Sequence, residues 1–250
     1  MDDEERIATT RHLAADFVEA ARVGGADCAI PSCPEWTMRQ LAEHLALEYA
    51  GWYYSNLTLA PGTPDPLSAA MGAMPPAPEG FDELLDYIVR NASRFADHAR
   101  EVDLDREVWV FDSVGLARFW LRQTIMEVGV HAWDAAMAGG RPSPLSEQIS
   151  LEAVDQICAM QYHRGHWWGE PWTPPSTPFC LIATDAEISW FMYEEGGRAH
   201  YESGGAEKAS ARAAAPAESL YLWLAGRQTP SEVAVIGDPA IAQAWRPDWS

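Results

Sequence analysis

The chain has 250 residues, 48% of them hydrophobic and 12 of them Trp, which is ample for a packed core and excludes a disordered polymer. With 37 acidic against 17 basic residues, the formal charge of -20 repels phosphate backbones and anionic lipid, so nucleic-acid and membrane partners are disfavoured. The N-terminal MDDEERIATTRHLAADF carries acids where a secretory signal needs a basic region, and no uncharged apolar stretch approaches about eighteen residues. A cytoplasmic protein is expected, a monomer or small homo-oligomer.

Residues 7–22 place Leu13, Phe17, Val18 and Ala21 at helical spacing and stop at Gly24-Gly25, predicting a first amphipathic helix. Pro31 and Pro34 keep the following segment extended. A second helix starts at Thr37 as N-cap with Gln40 as its capping-box partner, and Trp36 before the cap is expected to staple onto Leu41. Residues 58–80 are rich in Pro, Ala and Gly without a sustained period and read as a long loop, either a lid or a passive surface excursion. A third helix runs from Phe81 to Arg100, with Leu84, Leu85, Ile88, Ala92, Phe95 and Ala99 on one side and His98 toward solvent. Residues 107–115 form a short extended piece, and a fourth helix runs from Ala117 to Ala138 before Gly139-Gly140.

Two of these helices carry candidate metal ligands. Four residues advance an α-helix by about 400°, so Glu127 and His131 lie one turn apart on one face. Trp120, Gln123, Thr124, Asp134 and Ala138 share that side of the helix, a mixed polar and aromatic stripe. His44 falls beside Leu41, Leu45 and Trp52 on the apolar side of the second helix and is expected to point inward, with Glu48 one turn on. A Glu-x-x-x-His pair also reads as a solvated pair or a hydrogen-bonded core histidine, and the residues alone leave both readings open. His44, Glu127 and His131 together suit a divalent ion, because a buried imidazole or carboxylate without a partner costs about 1–3 kcal/mol or more.

Gly140-Arg-Pro-Ser-Pro144 is the candidate linker, giving a bundle over residues 1–140 and a second domain over 147–250. Residues 145–160 read as helix. PFCLIATD, EISWFMYEE and RAHYES read as strands with a hairpin turn at Gly196-Gly197, then a helix ESLYLWLAGR, a strand SEVAVIGD and a last helix PAIAQAW. The expected fold class is therefore α plus α+β, a four-helix bundle followed by a small α+β domain. Cys28, Cys33, Cys158 and Cys180 lack Cys-x-x-Cys spacing and do not suggest a disulfide scaffold. The segment 161–172 is unusually aromatic and reads either as an acceptor pocket lining or as an interface cover; its His163 and His166 form a weak second candidate metal pair.

Cys33-Pro-Glu-Trp-Thr37, the Leu41–Leu45 run around His44, Glu127-Val-Gly-Val-His-Ala-Trp-Asp-Ala135, Thr184-Asp185, Leu222-Trp-Leu-Ala-Gly-Arg227 and Val235-Ile-Gly-Asp-Pro239 resemble the mycothiol-dependent maleylpyruvate isomerase family, in the same order along nearly the whole chain. The resemblance implies a DinB-like metal-binding bundle, a smaller domain resembling the sterol-carrier fold, and His44, Glu127 and His131 as ligands of a divalent ion, usually Zn2+. It also implies mycothiol, the small thiol of actinobacteria, as cosubstrate. One lysine, Lys208, against sixteen arginines agrees with such a high-GC source.

Two imidazoles and a carboxylate leave the fourth position of a tetrahedral site open, as catalytic sites do. The expected chemistry is thiol addition to an enoyl-oxo-acid, bond rotation and elimination of the trans isomer. A mycothiol S-transferase that keeps the adduct, for detoxification or natural-product assembly, and a non-catalytic metal- or ligand-binding protein are the alternatives. Glu48 is a candidate proton shuttle or orienter, though it also reads as a half-exposed helix carboxylate, and Asp134 and Gln123 have the same standing. Arg227 is a candidate for holding a substrate carboxylate. Arg122 points away from Glu127 and is not a candidate.

Overall fold

The computed structural model describes residues 1–72, 76–166, 171–227 and 233–247. They fall into two compact units, Met1–Pro144 and Leu145–Ser250, each described by itself below. The class is α plus α+β, and among the described residues no helix is long and apolar enough to cross a membrane.

In the first unit, helix α1 (Asp3–Gly24) begins earlier than its hydrophobic pattern indicates, because Asp2 and Glu5 form a capping box around acids that also suit the helix N-terminus. Its buried face, Ile7, Leu13, Phe17, Val18 and Ala21, packs on helices α5 (Phe81–Glu101) and α6 (Arg118–Ala138). Between them the hairpin β1 (Ala29–Ile30) and β2 (Cys33–Thr37) leads directly into α2 (Met38–Leu47), whose Thr37–Gln40 capping box forms as the sequence indicates. Trp36 packs on the rings of His44 and His131, an arrangement beyond the expected local staple onto Leu41.

The helix after α2 is not uniformly α. Residues Glu48–Trp52 form a π turn, followed by α3 (Tyr53–Asn56). In a regular α-helix, residues four apart drift by about 40° of rotation. The wider π turn takes some of that back, and Trp52 meets Trp120 of α6 edge-on at 5.5 Å between centroids. Tyr49 in the same turn donates its hydroxyl to Thr10 O at 2.8 Å, tying the turn to α1.

Residues 58–80 are not a plain loop. Asp65 caps a short helix α4 (Pro66–Met71) with Pro66 in its first turn, so a capping acid before a proline outweighed the breaker composition. Residues 107–115 belong to a two-stranded hairpin, β3 (Glu107–Val110) with β4 (Ser113–Leu116). Phe111 at its turn has φ +50°, unfavourable for an aromatic residue, and its ring is held by Trp109, Phe119 and Trp120. His98 does not face solvent freely: it is half-buried and stacks on Tyr54 at 4.4 Å, and burial lowers its pKa.

The second unit is a five-stranded sheet in the order β7-β6-β5-β8-β9, formed by β5 (Phe179–Ala183), β6 (Ile188–Glu195), β7 (Arg198–Ser203), β8 (Ala211–Ala215) and β9 (Ala234–Ile236). Neighbouring strands are antiparallel except β5 and β8, which run parallel. Helices α7 (Glu147–Met160), α8 (Ala217–Leu224) and α9 (Pro239–Trp245) pack on it. Strand β8 has no counterpart in the sequence reading, since its run ARAAA lacks β-branched residues. Ala211, Ala213 and Ala215 are buried at period two, and their small size lets the sheet and its helix approach closely.

Candidate metal centre

The first unit brings His44, Glu127 and His131 together across two helices. One ligand atom from each lies within 4.8 Å of the others, and His44 Nε2 and His131 Nε2 both sit 3.2 Å from the same carboxylate oxygen, Glu127 Oε1. The rings of His44 and His131 are 5.2 Å apart at 83°. The His131 side chain is 8% exposed, whereas His44 and Glu127 keep 27% and 25%, so the cluster is more exposed on the His44–Glu127 side.

Asp134 supplies the support behind His131. It is fully buried on the next turn of α6, and its Oδ2 lies 3.0 Å from His131 Nδ1 while Ser32 Oγ donates to its Oδ1 at 2.6 Å. An aspartate that accepts the Nδ1 proton fixes the tautomer whose Nε2 lone pair is free to bind an ion. The donor set and its tautomer therefore fit a divalent metal, with hard oxygen and borderline nitrogen ligands.

The charges reinforce one another. Burial opposes ionisation of Glu127, but hydrogen bonds from His131 and His44 outweigh it and hold the carboxyl well below the usual range. Burial likewise disfavours a charged His131, yet the hydrogen bonds to Asp134 and Glu127 push its pKa up to about 9. Glu48 is pushed up to about 8, first by burial and then by the negative Glu127, against the positive His131 and a hydrogen bond from Tyr53. The structure thus sets Glu48 within electrostatic reach of the cluster.

A pH prediction for the metal-free protein follows from these directions. A group whose pKa is raised on folding stabilises fully below its unfolded value and loses that contribution as pH rises through the folded one. His131 spans 6.5 to about 9 and Glu48 spans 4.5 to about 8, so both act in the same sense. Chelator-treated protein should lose stability on the order of a few kcal/mol between pH 6 and 9. Unfolding curves that stay flat or improve over that range would contradict the arrangement. Glu127 acts oppositely, its contribution disappearing only in acid.

A profile of the family described as the mycothiol maleylpyruvate isomerase N-terminal domain matches residues 7–136, just over half of the chain. The chain belongs to this family. Two solved structures, of the mycothiol-dependent maleylpyruvate isomerase and of a histidine-to-alanine variant of it, share its fold with a TM-score of 0.57. Each is 15% identical and the match covers 94% of this chain and 93% of the other, so the likeness of fold spans both units. Among curated proteins none matches the chain.

The candidates of the second unit lie partly outside the described residues. Arg227 belongs to the second unit, just past α8, where its Nη1 donates to Ala225 O at 2.9 Å. Of the aromatic segment 161–172, residues 167–170 lie outside the described residues. Trp172 packs on Trp245 and under the Arg164 guanidinium, and Tyr162 lies edge-on to His163 and to His200. His166 Nε2 is 3.5 Å from Gly197 O. None of the four cysteines forms a disulfide, and burial pushes the Cys180 thiol up to about 11. Ser32 and Trp36 were missed as site residues, because a turn serine and a pre-cap tryptophan carry no metal signature in sequence.

Proposed function

We propose that this member of the mycothiol maleylpyruvate isomerase family is a metal- and thiol-dependent isomerase of an enoyl-oxo-acid, with mycothiol as the thiol. The observation that carries this reading is the convergence of two imidazole nitrogens on one oxygen of Glu127. His44, Glu127 and His131 would hold the ion, zinc being the usual occupant of such a set. A divalent ion there supplies the charge that deprotonates a thiol whose ordinary pKa is about 8.5.

The chain's own groups then divide the work. Sulfur bonds to the electrophilic carbon of the cis double bond, a proton is delivered to the neighbouring carbon, and the resulting single bond rotates. Elimination breaks the same C–S bond, removes that proton and returns thiol and the trans isomer, so atoms balance. Glu48, whose carboxyl pKa in the metal-free protein is pushed up to about 8, is the group we assign to deliver and recover this proton. Arg227 would hold the substrate carboxylate through its fork of donors.

A mycothiol S-transferase is the second reading, and one feature favours it. The half-buried Trp52, four residues beyond Glu48 and held edge-on by Trp109 and Trp120, offers an aromatic face. The deciding experiment supplies zinc-loaded protein and mycothiol with maleylpyruvate, which has two carboxylates, and with benzylidenepyruvate, which has one carboxylate and a phenyl end. Turnover of maleylpyruvate without net thiol loss supports the isomerase. A persistent adduct with benzylidenepyruvate, seen by mass spectrometry, supports the transferase, and no reaction with either under saturating metal rejects both.

A further inference from the structure

The hairpin Ala29–Thr37 lies along the last turns of α6 and touches it at three successive points. Cys28 Sγ, just before the hairpin, donates to Ala138 O at 3.3 Å. Ser32 Oγ, in the turn, donates to Asp134 Oδ1 at 2.6 Å. Trp36, on β2, stacks at 6.5 Å and 22° on His131 and meets His44 edge-on at 5.4 Å. Residues 131, 134 and 138 follow at three- and four-residue steps, one face of α6. The next residue after Trp36 is the Thr37 cap of α2, so the same hairpin also sets where the helix carrying His44 begins.

Within this clamp the Asp134 carboxylate is wholly buried, and its two oxygens are engaged separately, Oδ2 at His131 Nδ1 and Oδ1 at Ser32 Oγ, about a last torsion that is broad for aspartate. A second bond on the other oxygen fixes the plane. We propose that Ser32 is a positioning residue of the metal centre: its hydroxyl locks the Asp134 carboxylate so that Oδ2 takes the Nδ1 proton of His131 and Nε2 is presented to the ion. The inference rests on the metal-site reading above and adds to it a residue from outside both ligand-bearing helices. Such supporting bonds typically tune metal affinity by about 10–100-fold. Ser32 acts through one intermediary, which places its effect at the lower end.

The test is zinc affinity, measured by stripping the full chain of metal and titrating zinc against a chromophoric chelator, with thermal unfolding as the check of fold. Ser32→Ala should bind zinc about tenfold more weakly, and its cobalt(II) absorption should shift as the His131 ring loosens. Ser32→Thr, which keeps the hydroxyl, should restore wild-type affinity, and Glu35→Gln on the same hairpin should change nothing. Should Ser32→Ala not fold, Ser32→Gly carries the same expectation. A folded variant lacking the hydroxyl that binds zinc as tightly as wild type, with an unchanged cobalt spectrum, overturns the inference, as does a folded Ser32→Thr that fails to restore binding. Wild-type protein that takes up no divalent ion at all overturns the metal reading itself, a result separable from the first.

Discussion

His44→Ala is expected to lose stoichiometric metal and, with it, thiol-dependent turnover. The substitution removes the donor that α2 contributes to the cluster and leaves Glu127 and His131, two donors one turn apart on a single helix. Loss of a supporting hydrogen bond alone costs such sites about 10–100-fold in affinity, so loss of a direct ligand should cost more than about 100-fold. Stability should change far less. The His44 side chain is partly exposed, and its contacts are the Glu127 oxygen and ring edges of Trp36 and His131. Elemental analysis of protein purified without added metal, alongside an activity assay, reads both expectations. A variant that retains one metal per chain and full turnover would show that His44 is not a ligand.

Trp120→Ala should produce the largest loss of stability in the first unit. The side chain is fully buried, its Nε1 donates to Trp109 O at 2.9 Å, and its ring contacts Trp52, Trp109, Phe111 and Phe119. Truncating a core tryptophan costs about 3–5 kcal/mol, mostly through the cavity left behind. The Trp109 carbonyl loses the hydrogen bond from Trp120 Nε1 as well, and the packing that keeps Phe111 at positive φ is weakened. For a unit of this size, the midpoint of thermal unfolding should fall on the order of 10 °C. A loss below about 1 kcal/mol would mean that the aromatic cluster is far looser than these contacts imply.

The consequence extends to function through geometry. Trp120 lies two turns before Glu127 on the same stripe of α6, and it supports Trp52 just beyond Glu48. Collapse of the aromatic wall should therefore reduce selectivity between acceptors before it affects metal binding, since His131 is anchored from the opposite side by Asp134.

Local rules were enough for much of the chain. The start of α2 follows from its side-chain cap, Thr37, acting within three residues. The one-turn pairing of Glu127 and His131 follows from helix geometry alone, and the hairpin at Gly196-Gly197 follows from the positive φ that both glycines adopt. Alternation or β-branched and aromatic content marked β5, β6 and β7. Where tertiary contacts compete with local preference, the same rules were insufficient. The alanine run 211–215 carries no strand propensity and becomes one because a slot beside β5 accepts small residues. His98 looks like a surface residue on its helical wheel, yet Tyr54 from another helix covers it.

The same division holds at the centre. Sequence by itself determined which residue types could bind an ion and that two of them share a helix face, because periodicity is a property of the backbone. Only the tertiary structure decided that His44 meets Glu127 across the bundle, that a π turn inserts between Glu48 and Trp52, and that Ser32 and Asp134 stand behind His131. Those facts depend on how separate helices approach and rotate, which is set by packing between residues 83 and 102 positions apart in the chain, and no local pattern encodes it.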